Sequence, residues 1–237
     1  MLPALTLLSL FPLAAANTSP PLKPGSYIRQ GGQGSLELTL DKSGKLAFDI
    51  ETTGGNAHTC ELSGAVMGHE GKTGSDDGPA CTVRFDVDAS GNLTLTSVTD
   101  DACRAFCGAR ADFDGKYFLP APACEAKAVT ATQSKFKKLY DQKKLADAIQ
   151  VLEPVLKQCE QVIDRFQVIG IRNDLAITHH KLKDDAGCLQ VLAPLRTWAQ
   201  DTDPGAEPAF EDILKPLVKA TRFNFKTCGQ PLSPSAP

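Results

Sequence analysis

Leu36-Glu37-Leu38-Thr39-Leu40, Asp41-Lys42-Ser43-Gly44, Leu46-Ala47-Phe48-Asp49-Ile50: read in order, these residues spell a strand, a turn and a returning strand. Apolar side chains fall at every second position on both sides of the turn, the repeat of a strand with one buried face. Gly44 stands where such a turn needs a left-handed residue. The Asp-x-Ser-Gly-x-Leu signature returns at Asp88-Ala89-Ser90-Gly91-Asn92-Leu93, with Cys81, Val83, Phe85 and Val87 sharing a face before it and Leu93 and Leu95 after it. Strands from Cys60 to Val66 and from Ala109 to Phe113 raise the expected count to at least six, and Gly31-Gly32 and Gly54-Gly55 mark bends. From Gly25 to about Ala123 connections are short and no helical period appears. The expected fold is an antiparallel meander that closes into a small barrel or curves strongly, because closure hides strand edges.

Leu119 to Ala123, with Pro120 and Pro122, cannot continue a helix or a central strand and reads as a linker. Beyond it the period becomes 3.6. Leu145, Ala148, Ile149, Leu152, Val155 and Leu156 form one apolar stripe, and further helices are expected from about Val162 to Leu182, Asp185 to Ala199 and Glu207 to Phe223. Gln150-Val151-Leu152-Glu153-Pro154-Val155 recurs forty residues on as Gln190-Val191-Leu192-Ala193-Pro194-Leu195, and Ile213-Leu214-Lys215-Pro216-Leu217 echoes it. Such self-similarity points to stacked helical hairpins, with the prolines kinking their helices. The chain is therefore expected to be α+β: residues 25–123 a disulfide-bonded antiparallel β-barrel or curved sheet, residues 124–228 an all-α helical-hairpin unit, and residues 229–237 a disordered tail.

Residues 1–16 read as a secretory signal: Leu5 to Leu13 is apolar, Ala14-Ala15-Ala16 suits cleavage before Asn17, and the run is shorter than the roughly 20 apolar residues of a spanning helix. The expected mature protein is periplasmic or secreted, with no membrane insertion after cleavage. The formal net charge of −3 is spread without a long basic run, which argues against nucleic acid as a partner. Few aromatics and a single tryptophan, Trp198, make a small core that covalent staples would help.

The chain has eight cysteines, and an exported chain pairs its thiols. Helix ends on the same side of a hairpin layer favour Cys188 with Cys228 and Cys124 with Cys159, and argue against Cys159 with Cys188. In the β half Cys81 with Cys107 and Cys60 with Cys103 are favoured, although four cysteines allow three connectivities.

Several residues invite chemistry. His58 and Cys60 with Cys103 and Cys107 make a conceivable zinc set, but structural disulfides fit the compartment better, and no metal or cofactor is expected. Adjacent His179 and His180 face different directions on a helix and suit a solvated C-terminal turn. Asp112 and Asp114 flank Phe113 and point to one face of a strand, the raw material of glycosidase chemistry, yet exposed acids are the norm. The loop from His69 through Lys72 to Gly78 is the most polar and glycine-rich of the β half and reads equally as a recognition loop or as a plain surface hairpin. It lacks the phosphate-loop order.

Cys60-Glu61-Leu62-Ser63-Gly64-Ala65, Cys81-Thr82-Val83-Arg84-Phe85 and Cys107-Gly108-Ala109-Arg110-Ala111-Asp112-Phe113-Asp114-Gly115-Lys116-Tyr117 resemble, in order, motifs of small exported β-domains related to periplasmic lysozyme inhibitors. Ser63-Gly64-Ala65 resembles the start of an inhibitory Ser-Gly loop, with Val66-Met67-Gly68 in place of that loop's Lys and Tyr. Tyr140 to Ile149 resembles the helix junction of tetratricopeptide repeats, within a stretch from about Phe136 to Leu195. The resemblances imply a non-enzymatic binding or inhibitory module, with Ser63, His69 and Lys72 as candidate binding residues and a protein or cell-wall component of the envelope as partner. The alternatives are a cell-wall-active enzyme or accessory subunit using Asp112 and Asp114, and an immunity protein against a secreted toxin.

Overall fold

The computed structural model describes residues 20–74, 79–203 and 206–232. The leader expected at residues 1–16 and the end of the expected tail, from residue 233, lie outside the described residues, as do residues 75–78 of the polar loop.

Eight antiparallel strands close into a barrel in chain order: β1 (Gly25–Arg29), β2 (Gly34–Leu40), β3 (Leu46–Thr53), β4 (Thr59–Met67), β5 (Glu70–Thr73), β6 (Thr82–Val87), β7 (Leu93–Ser97) and β8 (Gly115–Phe118). The period-two residues of the opening hairpin point inward, so Leu36, Leu38, Phe48 and Ile50 meet Leu62, Val83, Phe85, Leu93 and Leu95 in one core. Phe48 stands opposite Gly64 and packs edge-on against Phe85 at 5.7 Å between ring centres. Tyr27 and Tyr117 are buried with their hydroxyls donating to Lys23 O (3.0 Å) and Phe113 O (2.8 Å). Burial pushes both phenols up from the ordinary tyrosine range.

The two Asp-x-Ser-Gly turns share one device. Asp41 accepts from Ser43 N (2.8 Å), Ser43 Oγ (2.7 Å) and Lys45 N (2.9 Å); Asp88 accepts from Ser90 N (2.8 Å), Asn92 N (2.9 Å) and Asn92 Nδ2 (3.1 Å). The Ser43 hydroxyl holds the Asp41 carboxyl below the usual range, as the Asn92 amide does for Asp88, with backbone N–H groups assisting at both. A carboxyl whose pKa is depressed by folding stabilises the fold above its unfolded value, about 3.9, and that contribution disappears as pH falls through the folded value. Asp41→Ala with Asp88→Ala should therefore lower the melting temperature at pH 7, and the gap from the unmodified chain should shrink as the pH is taken to about 2.

Three expectations for the β half are corrected. The segment from His69 to Gly78 is not all loop, because Glu70–Thr73 forms β5 between β4 and β6. Ala109 to Phe113 is not a strand; the last strand is Gly115–Phe118. The chain before it contains a short helix, α1 (Asp100–Arg104), too brief to display a 3.6 period. That helix alters the disulfides. Thr99 ties its start to β6, with Thr82 N donating to Thr99 Oγ1 (2.8 Å), and Cys103 is carried back onto Cys81. Cys107 is left to meet Cys60 across an isolated bridge. The pairs are thus Cys60–Cys107 and Cys81–Cys103, not Cys81–Cys107 and Cys60–Cys103.

After a 3-10 turn at Pro122–Cys124 the chain is helical: α2 (Ala126–Asp141), α3 (Leu145–Cys159), α4 (Arg165–Lys181), α5 (Asp185–Leu192), α6 (Arg196–Asp201) and α7 (Glu211–Thr227). The α2–α3 and α4–α5 connections each contain a lysine at positive φ, Lys143 (63°) and Lys183 (65°), forty residues apart like the sequence repeat. The prolines of that repeat act differently. α3 runs through Pro154, whereas Pro194 ends α5 in a 3-10 turn, so the helix expected from Asp185 to Ala199 is divided. Buried Arg172 donates from Nη1 to Val191 O near that break (2.8 Å) and pairs through Nη2 with Glu160 (2.5 Å). A buried amide cluster joins α4 to α7: Asn173 Nδ2 donates to Thr221 Oγ1 (2.9 Å), and Asn224 Nδ2 to Asn173 Oδ1 (3.0 Å). The helical crosslinks are Cys124–Cys159 and Cys188–Cys228. Four disulfides and no free cysteine among the described residues belong to an oxidising space outside the cytoplasm. No described helix is long and apolar enough to cross a membrane.

Candidate binding cleft

Among the described residues, hydrogen bonds join the barrel to the helices at two places. At the first, the β1–β2 turn packs on the chain between α3 and α4: Gly31 N donates to Gln161 O (2.9 Å) and Gln33 Nε2 to Asp164 Oδ2 (3.4 Å). Gly32, at φ +73°, lies so close that a side-chain carbon there would fall on the backbone of Ile163 and Asp164, 2.6 Å from Ile163 O. Both the left-handed backbone and the close approach require glycine. At the second, Ala209 N in the turn before α7 donates to Asn56 Oδ1 in the β3–β4 turn (2.9 Å).

Between these two pillars the halves leave a cleft of about 530 Å³, within the range of roughly 300–1,000 Å³ for ligand sites. Its floor is the outer face of β2, β3 and β4, and its roof is Phe166, Phe210 and Ile213. Strand register sets the floor: Ser35 stands opposite Glu51, and Glu51 opposite Glu61. Directly opposed side chains on one face lie about 5 Å apart at Cβ, so the two carboxylates are neighbours. The roof is held from behind. Phe166 and Phe210 pack at 5.3 Å between ring centres, the Arg165 guanidinium lies 4.6 Å from the Phe166 ring centre, and Glu207 neutralises it at 2.6 Å. Asp164 also borders the cleft but is engaged, accepting from Phe166 N (2.8 Å) at the start of α4.

The residues singled out from sequence lie elsewhere. Ser63 and Lys72 share the outer face of β4 and β5 on a diagonal, since Lys72 stands opposite Ala65. His69 occupies the β4–β5 turn and its Nδ1 meets Phe85 O at 3.0 Å, which turns that nitrogen inward. None of the three lines the cleft. Asp112 and Asp114 border a hollow of about 200 Å³ beside α1, but both are spent on structure. Asp112 pairs with Arg29, and Asp114 accepts from Ser97 N (2.8 Å) and Ser97 Oγ (3.1 Å). His179 and His180 meet Asp184 (2.8 Å) and Asp185 (2.6 Å) through Nδ1. His180, Asp185 and Cys228 cluster within 4.8 Å, yet the Cys228 sulfur is bonded to Cys188 and offers no thiolate to a metal.

A second groove, about 500 Å³, runs between α2 and α4 and includes Lys137, Tyr140 and Asp174. Asp174 keeps solvent contact, but the groove walls withhold water from its carboxyl and push it up to about 6, against the opposing pull of Lys137. No motif in the sequence marks this residue, nor Glu51, Glu61, Phe166 and Phe210. The carboxylates carried a usable signal: a hairpin centred on Asn56 places Glu51 against Glu61. The aromatics did not, since nothing in the sequence tells which helix faces the barrel. The architecture is thus a closed, doubly crosslinked barrel joined to crosslinked helices, with a cleft between. No family model, no curated protein and no solved structure matches the chain.

Proposed function

We infer that this chain is an exported, non-enzymatic binding protein, periplasmic or secreted, which holds a protein or cell-wall component of the envelope between its barrel and its helices. The observation that carries the reading is the cleft: two rigid, crosslinked bodies meet at two pillars and leave an open space lined by polar strands on one side and unsealed aromatics on the other. A joint serving only to connect the halves would gain more by closing, because apolar surface left facing water forgoes about 25 cal/mol per Å². The paired carboxylates that a cell-wall hydrolase would need are engaged with Arg29 and Ser97, which weighs against the enzyme alternative. Helical hairpins repeating at forty residues support the tetratricopeptide-like reading of the second half, and such units commonly present docking faces. The outer face bearing Ser63 and Lys72 remains the place where a lysozyme-inhibitor-like contact would form.

Filling the cleft tests the reading. Thr53→Trp, on the cleft floor, should abolish capture of the partner that the unmodified chain retains from envelope extract, whereas Thr94→Trp on the distant outer face of β7 should leave capture unchanged. Equal capture by both variants, or turnover of peptidoglycan by the purified chain, would refute it.

A further inference from the structure

The floor of the cleft breaks a rule of sheet construction. Like charges directly opposite on neighbouring strands are destabilising, yet Glu51 faces Glu61, and in the next row of the same outer face Glu37 faces Asp49. All four are exposed and none takes part in an ion pair among the described residues; Glu37 accepts from Ser26 Oγ (2.6 Å), so the pair left without compensation is Glu51 with Glu61. The guanidinium behind the roof, Arg165, is already neutralised by Glu207 and lies over the aromatic pair. Local choices that lower stability with no compensation inside the fold concentrate where a chain binds something. Opposite the carboxylates, Phe166, Phe210 and Ile213 offer apolar surface, with Ile213 45% exposed. One wall of the cleft is negative and the other is apolar. An occupant that satisfies both carries positive charge on one side and hydrocarbon on the other.

We propose that the cleft takes a cationic segment of a partner protein, an extended stretch in which lysine or arginine ammonium and guanidinium groups pair with Glu51 and Glu61 while its apolar side chains lie against Phe166, Phe210 and Ile213. Lysine and arginine fit both walls even singly, because their methylene stems cover apolar surface while the head stays at the charge, and a cation beside a phenylalanine face is attracted to the ring. This inference rests on the reading of the cleft as the docking place and adds the chemistry of what docks.

The probe is a fluorescein-labelled peptide alternating lysine and leucine, titrated onto the intact oxidised chain by fluorescence anisotropy beside a counterpart with glutamate in place of lysine. The lysine peptide should bind more tightly by about tenfold or more, with affinity falling as salt is raised. Glu51→Gln with Glu61→Gln should weaken it about tenfold while raising the melting temperature of the unliganded chain by about 1–2 °C, because the opposed charges are gone. That rise shows the variant to be folded. Removing two acids elsewhere, Asp101→Asn with Glu125→Gln, should leave binding unchanged, and Phe210→Ala should weaken it. Equal binding of the two peptides, unchanged affinity in the cleft double variant, or an equal loss in the remote one overturns the proposal. If Thr53→Trp blocks partner capture while the lysine peptide does not bind, the cleft stands as the docking place and its cationic occupant is refuted. If Thr53→Trp has no effect on capture either, both readings fall.

Discussion

Gly64→Ala is expected to destabilise the barrel by about 3 kcal/mol or more, read as a lower urea midpoint with an unchanged slope. Gly64 lies on the inward side of β4, between Leu62 and Val66, at the place where β5 leans closest. A methyl group there would penetrate the carbonyl of Lys72 on one side and approach Phe48 Cε1 to 2.9 Å on the other. The carbonyl is backbone of the neighbouring strand and cannot rotate away, and the ring is locked edge-on against Phe85. Gly71 makes the matching space on β5, where an added side-chain carbon would fall 2.7 Å from the rings of both Phe48 and Phe85. The two glycines are thus the mould into which Phe48 fits, and this small closed sheet bends sharply because two inward positions hold no side chain. The contrast is Gly170 in α4, where an added carbon meets nothing within 4 Å. Gly170→Ala should stabilise the chain by up to about 1 kcal/mol, since alanine holds helix better than glycine. A Gly64→Ala chain as stable as the unmodified one would refute this account of the curvature.

Removing the Cys124–Cys159 crosslink is the other large effect. The bond closes a loop of 35 residues, and freeing a loop of that length in the unfolded chain is worth about 3–4 kcal/mol. Cys124→Ala with Cys159→Ala should lower stability by that order, and the position of the bond adds a second consequence. Cys159 ends α3 two residues before Gln161, whose carbonyl receives the Gly31 N–H, and Cys124 ends the linker leaving β8. The crosslink fixes both the linker and one pillar of the cleft. In the double variant hydrogen exchange should quicken at Gly31 and around Ile163, while the barrel core, stapled separately by Cys60–Cys107 and Cys81–Cys103, keeps its protection. Uniform loosening of the core would contradict this division.

The hairpins around Asp41 and Asp88, the change of period at the linker and the forty-residue repeat were all legible from the chain, because each is written in near neighbours. What escaped depended on contacts distant in sequence. α1 spans barely more than one turn, so no periodicity announced it, yet it decides which cysteine reaches Cys81. β5 was hidden because Glu70, Gly71, Lys72 and Thr73 have almost no apolar alternation; its inward positions are a threonine and a glycine, the glycine being what the Phe48 ring requires. The helical disulfides were accessible to reasoning since helix ends fall on defined sides of a layer, whereas irregular loops place Cys103 and Cys107. The cleft was the least visible, being made by two halves whose docking rests on Gly32 and Asn56, residues with no signature beyond a tendency to turn.

β1 and β8 are neighbours in the closed ring, so the chain enters and leaves the barrel along one seam, with Gly25 beside Leu119. No disulfide crosses from one half to the other. The barrel is accordingly a cassette with both ends on the same edge and its own oxidative locks, a unit that evolution or an engineer can lift out and graft onto another carrier without cutting the sheet.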